Sequence, residues 1–247
     1  MIYTGKAKAL YHDCDVQNRL KISAAMRYMQ QVSSEQMEVW GIPAEKLLRE
    51  NMVFVLSRSC IKINRMPDVS ERLLLGTAPT AVKGARFVRE FAIDSERGER
   101  LISAVTLWIL IDPESRRILR PASFPYEMRL ASSFVGGHVE DVAMPKLPVP
   151  EGQRELREVD IRYSHLDCNH HVNNSVYADF ICDMLPYEEL IDRGIDTLAI
   201  SFQNEVRMGG KLLIERSAIS AGEYYLNGKC GDTACFEALV KLKSNNA

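Results

Sequence analysis

The chain has 247 residues, length for one large domain or two small ones. With 46% hydrophobic and 26% charged residues it can bury a core without disulfide or metal staples, and a net charge of −2 argues against a generally basic nucleic-acid binder. No apolar run approaches the ~20 residues of a membrane span. Met1 to Leu10 lacks the apolar stretch of a secretion signal, and the six cysteines form no CxxC pair, so a cytoplasmic chain with reduced thiols is expected.

The first helical signal runs from Lys21 to Trp40, with Ile22, Ala25, Met26, Met29, Val32, Met37 and Trp40 on one face; Gly41 and Pro43 mark its end. Strand-like segments follow at Val53–Ile63, Arg72–Thr77, Phe87–Ile93 and Leu101–Ile111, the last stopped by Asp112-Pro113. From 131 to 153 the texture changes: Gly136-Gly137, Pro145, Pro148 and Pro150 read as a stiff, exposed connector. Beyond it come a short strand at Val159–Tyr163 and a helix over Val172–Leu185, with Asn173 or Asn174 as its cap and Pro186 closing it. Strands are then expected at Leu198–Val206, Lys211–Ser220, Tyr224–Cys230 and Cys235–Leu242.

Each half thus reads as strand, helix and about four antiparallel strands, and local sequence supports a repeat. Segment 12–20 (HDCDVQNRL) lies against 164–172 (SHLDCNHHV), with Asp15 on Asp167, an offset of 167 − 15 = 152. Further on, Arg65 falls against Arg207, an offset of 207 − 65 = 142, which sets Glu205 opposite Ile63. The expected architecture is α+β: two copies of one unit, 1–130 and 154–247, joined by 131–153, each an antiparallel sheet wrapped around a helix.

The densest chemistry lies in Ser164 to Tyr177 (SHLDCNHHVNNSVY), with three of the five histidines, an aspartate and three asparagines before a helix start. Free N–H groups and the helix dipole at such a start favour negative charge, as on a hydrolytic oxyanion. The string Asp167-x-Asn169-x-His171-Val172-Asn173-Asn174-x-x-Tyr177 resembles the signature of acyl-acyl carrier protein thioesterases, tandem double-hotdog enzymes that end fatty acid synthesis. Met29-Gln30, Val55-Leu56-Ser57-Arg58 and the Ser103–Trp108 strand extend the resemblance over nearly the whole chain. It implies Asp167, Asn169, His171 and Glu205 as the catalytic set, no cofactor, and an acyl chain carried by acyl carrier protein as substrate. Plant members have a cysteine after the glutamate; Val206 here excludes that nucleophile. The backbone of Val172, Asn173 and Asn174 is the expected oxyanion site. The first copy has Asp15, Gln17 and Arg19 at the matching positions, so one copy is read as catalytic and the other as the acyl-chain pocket.

Blander readings stand beside these. His165, Asp167, His170 and His171 offer metal ligands, but their spacing is no helical pair and no distal set completes it. Asn173 can be only a cap, Asp167 only a loop organiser, and Glu205 only a solvated strand residue. Met29 and Trp108 read as core. Arg116, Arg117 and Arg120 are a solvated turn or a dock for an acidic carrier. An acyl-CoA thioesterase, a non-catalytic acyl-binding regulator and a hotdog dehydratase are the other readings, and the chain is expected as monomer or homodimer.

Overall fold

The computed structural model describes residues 1–135 and 154–244, within two units, 1–142 and 143–247. The first unit runs β1 (Tyr3–Lys8), α1 (Ile22–Val39), α2 (Ala44–Arg49), β2 (Val53–Ile63), β3 (Arg72–Lys83), β4 (Arg86–Ser95) and β5 (Arg100–Ile111). Its strands pair antiparallel in the order β1-β3-β4-β5-β2. The α1 stripe Ile22, Ala25, Met26, Met29 and Val32 is buried, and the helix lies on β3 and β1. Truncating Ile22, Met26 or Met29 to alanine costs about 2–5 kcal/mol through the cavity left behind. Gly41, at φ 74°, then turns the chain out of the helix.

The expected strand Arg72–Thr77 in fact runs on to Lys83 through Pro79. A register shift between Pro79 and Ala81 absorbs the missing N–H donor, and the Pro79 carbonyl accepts the Ala131 N–H instead. The N–H groups of Phe134 and Val135 likewise bond the buried Glu90 carboxylate, at 2.8 and 3.1 Å. Residues 131–135 are therefore packed chain of the first unit, not connector. The rest of the expected linker, 136–153, lies outside the described residues.

The second unit runs β6 (Arg154–Asp160), α3 (Val176–Met184), α4 (Tyr187–Arg193), β7 (Ile195–Phe202), β8 (Lys211–Ser220), β9 (Glu223–Cys230) and β10 (Thr233–Leu242). Its order, β7-β10-β9-β8-β6, is again antiparallel throughout. Helix α3 packs through Tyr177 on Phe202 of β7 and Phe236 of β10. Gly228 of β9 leaves the space that the Phe236 ring fills.

Matching hydrogen bonds align the two copies. Ala9 and Ile161 donate to Glu71 and Gly210, and Lys21 and Asn173 donate to Asp13 and His165, so the offset of 152 holds from β1 to the helix start. Leu20 donates to the Pro67 carbonyl where Val172 donates to that of Val206, an offset of 206 − 67 = 139. The Arg65–Arg207 register is thus corrected by three residues. Glu205 stands level with Met66, not Ile63, and Asn204 level with Arg65.

Candidate active site

The loop between β6 and α3 is shaped by its own backbone. Leu166 bridges Val172, the Asp167 N–H donates to the His171 carbonyl at 3.0 Å, and the Asp167 carboxylate accepts the Asn169 N–H at 2.8 Å. His170 takes the left-handed conformation, φ 64°, that closes the turn. A bridge between His171 and Arg207 and the Val172–Val206 hydrogen bond then draw the loop against the turn after β7. That turn is gripped from β10, where the Cys235 carbonyl accepts the Gln203 and Asn204 N–H groups at 2.8 and 3.3 Å.

The result sets His171 between two carboxylates. Its Nδ1 lies 3.9 Å from Asp167 Oδ1 and its Nε2 lies 3.8 Å from Glu205 Oε1. Both gaps exceed a direct hydrogen bond and suit a tightened contact or a bridging water when substrate binds. Glu205 Oε2 faces Arg207 Nη2 at 3.5 Å. All three central side chains are partly buried, Asp167 most and Glu205 least.

The other expected residues fall differently. Asn169 is exposed and its side chain hydrogen-bonds no described residue. The Val172 N–H is committed to the Val206 carbonyl and the Asn173 N–H to the His165 carbonyl, so neither is free for an oxyanion. Of the expected trio, Asn174 alone keeps a backbone N–H without a partner among the described residues. The Asn173 side chain takes the structural role: its Oδ1 accepts the Ser175 N–H at 2.9 Å and hydroxyl at 2.7 Å, and α3 starts only at Val176 rather than at Val172. His165 accepts the Arg162 N–H on Nδ1 and sets its ring edge-on to Phe180. Arg116, Arg117 and Arg120 are exposed on the turn after β5.

Two residues beside the site carried no assigned role in the sequence reading. Arg207 was hidden by its false match to Arg65. Tyr177, the last residue of the motif, is buried against Phe180, Phe202 and Phe236. Burial first, then the neighbouring Cys235, Glu205 and Cys230, pushes its phenol well above the usual tyrosine range.

Two family models match in order along the chain: the acyl-ACP thioesterase N-terminal domain over residues 1–123 and the C-terminal domain over 150–230. The chloroplastic acyl-[acyl-carrier-protein] hydrolase FATB1 of Cuphea viscosissima is 27% identical over 173 residues, 67% of this chain and 41% of that protein. The chloroplastic palmitoyl-acyl carrier protein thioesterase of Arabidopsis thaliana is 21% identical over 244 residues, 90% of this chain and 56% of its own. The chain spans about half the length of the curated relatives it matches. Among solved structures, the 12:0-ACP thioesterase from Umbellularia californica superposes with a TM-score of 0.87 at 16% identity, covering 98% of this chain and 97% of that one. An acyl-ACP thioesterase from Bacteroides thetaiotaomicron gives 0.79 at 20% identity, covering 98% of each. The fold is therefore the tandem double hotdog of these structures, and with both domains of the family matched in sequence order, the chain belongs to the acyl-ACP thioesterases.

Proposed function

We propose that the chain hydrolyses the thioester of a fatty acyl-acyl carrier protein, releasing the free fatty acid and ending its synthesis. The observation that carries this reading is His171 set between Asp167 and Glu205 on a loop whose counterpart in the first copy lacks both the imidazole and the second acid. Glu205, the more open carboxylate, takes a proton from water as that water adds to the thioester carbon. Glu205 passes that proton to His171 Nε2, the tetrahedral adduct collapses, the carbon–sulfur bond breaks, and His171 hands the proton on to the departing thiolate. Asp167 holds the loop and faces the other imidazole nitrogen, fixing the orientation of His171. Asn169 is exposed beside this group, where it can reach a bound thioester.

A reducing, cytoplasmic setting is part of the same proposal, supported by six cysteines that form no CxxC pair. Among the described residues no helix is long and apolar enough to cross a membrane. Exposed Arg116, Arg117 and Arg120 are the proposed dock for the acidic carrier, and reversing their charge is expected to raise KM for carrier-bound substrate alone. The test of the reading is thiol release from acyl-carrier protein and acyl-CoA substrates of graded chain length. Turnover on carrier-bound substrate abolished by Glu205→Gln supports it; no release from either class overturns it.

A further inference from the structure

Arg89 of β4 is 8% exposed, and the groups it touches are neutral. Its Nη1 donates to Gln36 Oε1 of α1 at 2.5 Å and to Thr77 Oγ1 of β3 at 3.1 Å. Its Nη2 meets only the Met37 thioether, at 3.8 Å. Among the described residues no acceptor faces Nε and no carboxylate pairs with the guanidinium. Glu90, the next residue, points to the opposite face of the strand, where it holds the Phe134 and Val135 N–H groups. Burial, unopposed by any neighbouring charge, pushes the guanidinium down to about 10, so at pH 7 it is still a cation. Buried charges are almost always paired, because only a close opposite charge offsets their desolvation.

The second unit shows how the fold treats such groups elsewhere. Leu73 pairs with Ser95 as Leu212 pairs with Cys230, which sets β3 on β8 at 212 − 73 = 139 and β4 on β9 at 230 − 95 = 135. Thr77 is then level with Arg216, and Arg89 with Tyr224. Arg216 pairs with Glu155, its cross-strand neighbour on β6, and the Tyr224 hydroxyl donates to Glu189 at 2.8 Å. In the first unit the neighbour across from Thr77 is Tyr3, whose hydroxyl donates to Glu35. Both polar groups in the second unit therefore meet an acid of their own chain, and Arg89 meets none among the described residues.

The unused side of Arg89 is the side that recognises a carboxylate. Nε–H and one Nη2–H point the same way, a fork that matches two carboxylate oxygens. The sealed partnerless side-chain atoms of the described residues are Ser23 Oγ and Glu215 Oε1, so Nε borders open space. Met37 stands at this fork and packs into the apolar cluster of Phe87, Leu110 and Phe124. Its unbranched thioether chain can swing aside for a ligand.

We propose that Arg89 anchors the head group of a free fatty acid inside the first unit, paired through Nε and Nη2, with the alkyl tail along that apolar cluster. Gln36 and Thr77 hold the guanidinium from its other side. The binding stands apart from the hydrolase reading; only the identification of this ligand with the reaction's product rests on it.

The test is calorimetric titration of the full chain with dodecanoate and with dodecanol, both below their aggregation limits. The charged pair is expected to favour the acid roughly 10–100-fold. That preference should survive Glu205→Gln and vanish in Arg89→Met. Equal affinity for acid and alcohol in the parent overturns the proposal, as does a preference that persists in Arg89→Met or disappears in Glu205→Gln. Should Arg89→Met fold poorly, dodecanoate isotope-labelled at its carboxyl carbon and bound to the parent gives a second reading by NMR. Its carboxylate should stay ionised well below the range of the free acid, and an unshifted titration overturns the proposal equally. If the chain releases no thiol from any acyl substrate but binds dodecanoate through Arg89, only the hydrolase reading fails; if it is active and shows no preference for the acid, only this one fails.

Discussion

Residues 13–21 and 165–173 make the same loop. In each, an aspartate carboxylate accepts the N–H two residues on, Gln17 to Asp15 and Asn169 to Asp167, both at 2.8 Å. The aspartate N–H donates to the carbonyl four residues on, that of Arg19 or of His171, and a left-handed residue, Asn18 at φ 59° or His170 at φ 64°, closes the turn. Cys14 bridges Leu20 as Leu166 bridges Val172. What differs is what the shared frame displays: Arg19 against His171, Met66 against Glu205, Ala25 against Tyr177. The frame is therefore separable from the chemistry. Asp167 builds its loop as Asp15 does, and only its second duty, facing His171, can be catalytic.

The largest effects should come from breaking the differences. Glu205→Gln and His171→Ala are each expected to lower kcat about 10²–10⁴-fold, the range for a general acid or base. Met66→Gln and Arg19→Ala, the same positions in the first copy, should leave it within threefold. Equal losses from both copies in a steady-state thiol-release assay would dissolve the contrast. Breaking the shared frame is the next test. Asp15→Ala and Asp167→Ala should each lower unfolding free energy by about 1–2 kcal/mol, the worth of one or two hydrogen bonds to a charged group. Asp167→Ala alone should also lose roughly tenfold or more in kcat. Denaturant melts beside rates separate the two duties.

The first copy carries a clamp that the second lacks. Arg65 meets Glu71 at 2.9 Å and Glu99 at 2.8 Å, whereas Asn204 stands at its place in the second copy. Hydrogen bonding to Arg65 holds the Glu71 carboxyl below its usual range. With a depressed folded pKa, the contribution is full above the ordinary carboxylate range, near ~4.3, and is lost as pH falls through the lower folded value. Arg65→Met should therefore destabilise the protein at pH 7, by about 1 kcal/mol after allowance for solvent screening. The gap to the parent should narrow toward pH 3. A gap that is constant across that range in thermal melts would place the effect in packing instead.

Where pattern is strong the sequence was legible. The apolar stripe of α1 and the runs of β2 and β8 stand at, or within a residue of, the expected bounds. The first strand of the first half was expected without bounds, because TGKAK has almost no apolar face to mark them, and α2 and α4, at 6 and 7 residues, are too short for a helical period to show. The start expected for α3 is too early because Val172, four residues before Val176, falls on its apolar period; the Asn173 side chain delays the first turn, which no periodicity reveals. That Asp167, His171 and Glu205, the proposed catalytic set, would lie together was legible only through the family resemblance of the loop motif and of the Phe202–Val206 segment. The fate of the Val172 and Asn173 N–H groups was not, since their acceptors, Val206 and His165, are fixed only by tertiary pairing. The Arg65–Arg207 match misled for the same reason: identical side chains outvoted a register that hydrogen bonds define.

The subtlest contrast concerns His170, which the motif surrounds but the geometry leaves aside. It is exposed, and its N–H donates to the Asp167 carbonyl as the Asn18 N–H donates to that of Asp15. If its contribution is the turn and not the imidazole, glycine should serve as well. An L-residue in the left-handed region costs about 1–2 kcal/mol, and the extra backbone freedom of glycine gives back about 0.5–1. His170→Gly should thus raise unfolding free energy by about 0.5 kcal/mol and leave kcat and KM within twofold. A tenfold fall in kcat with unchanged stability would instead put this imidazole into the reaction. Asn18 would then cease to be its equivalent, and the separation of frame from chemistry would have to be redrawn one residue closer to His171.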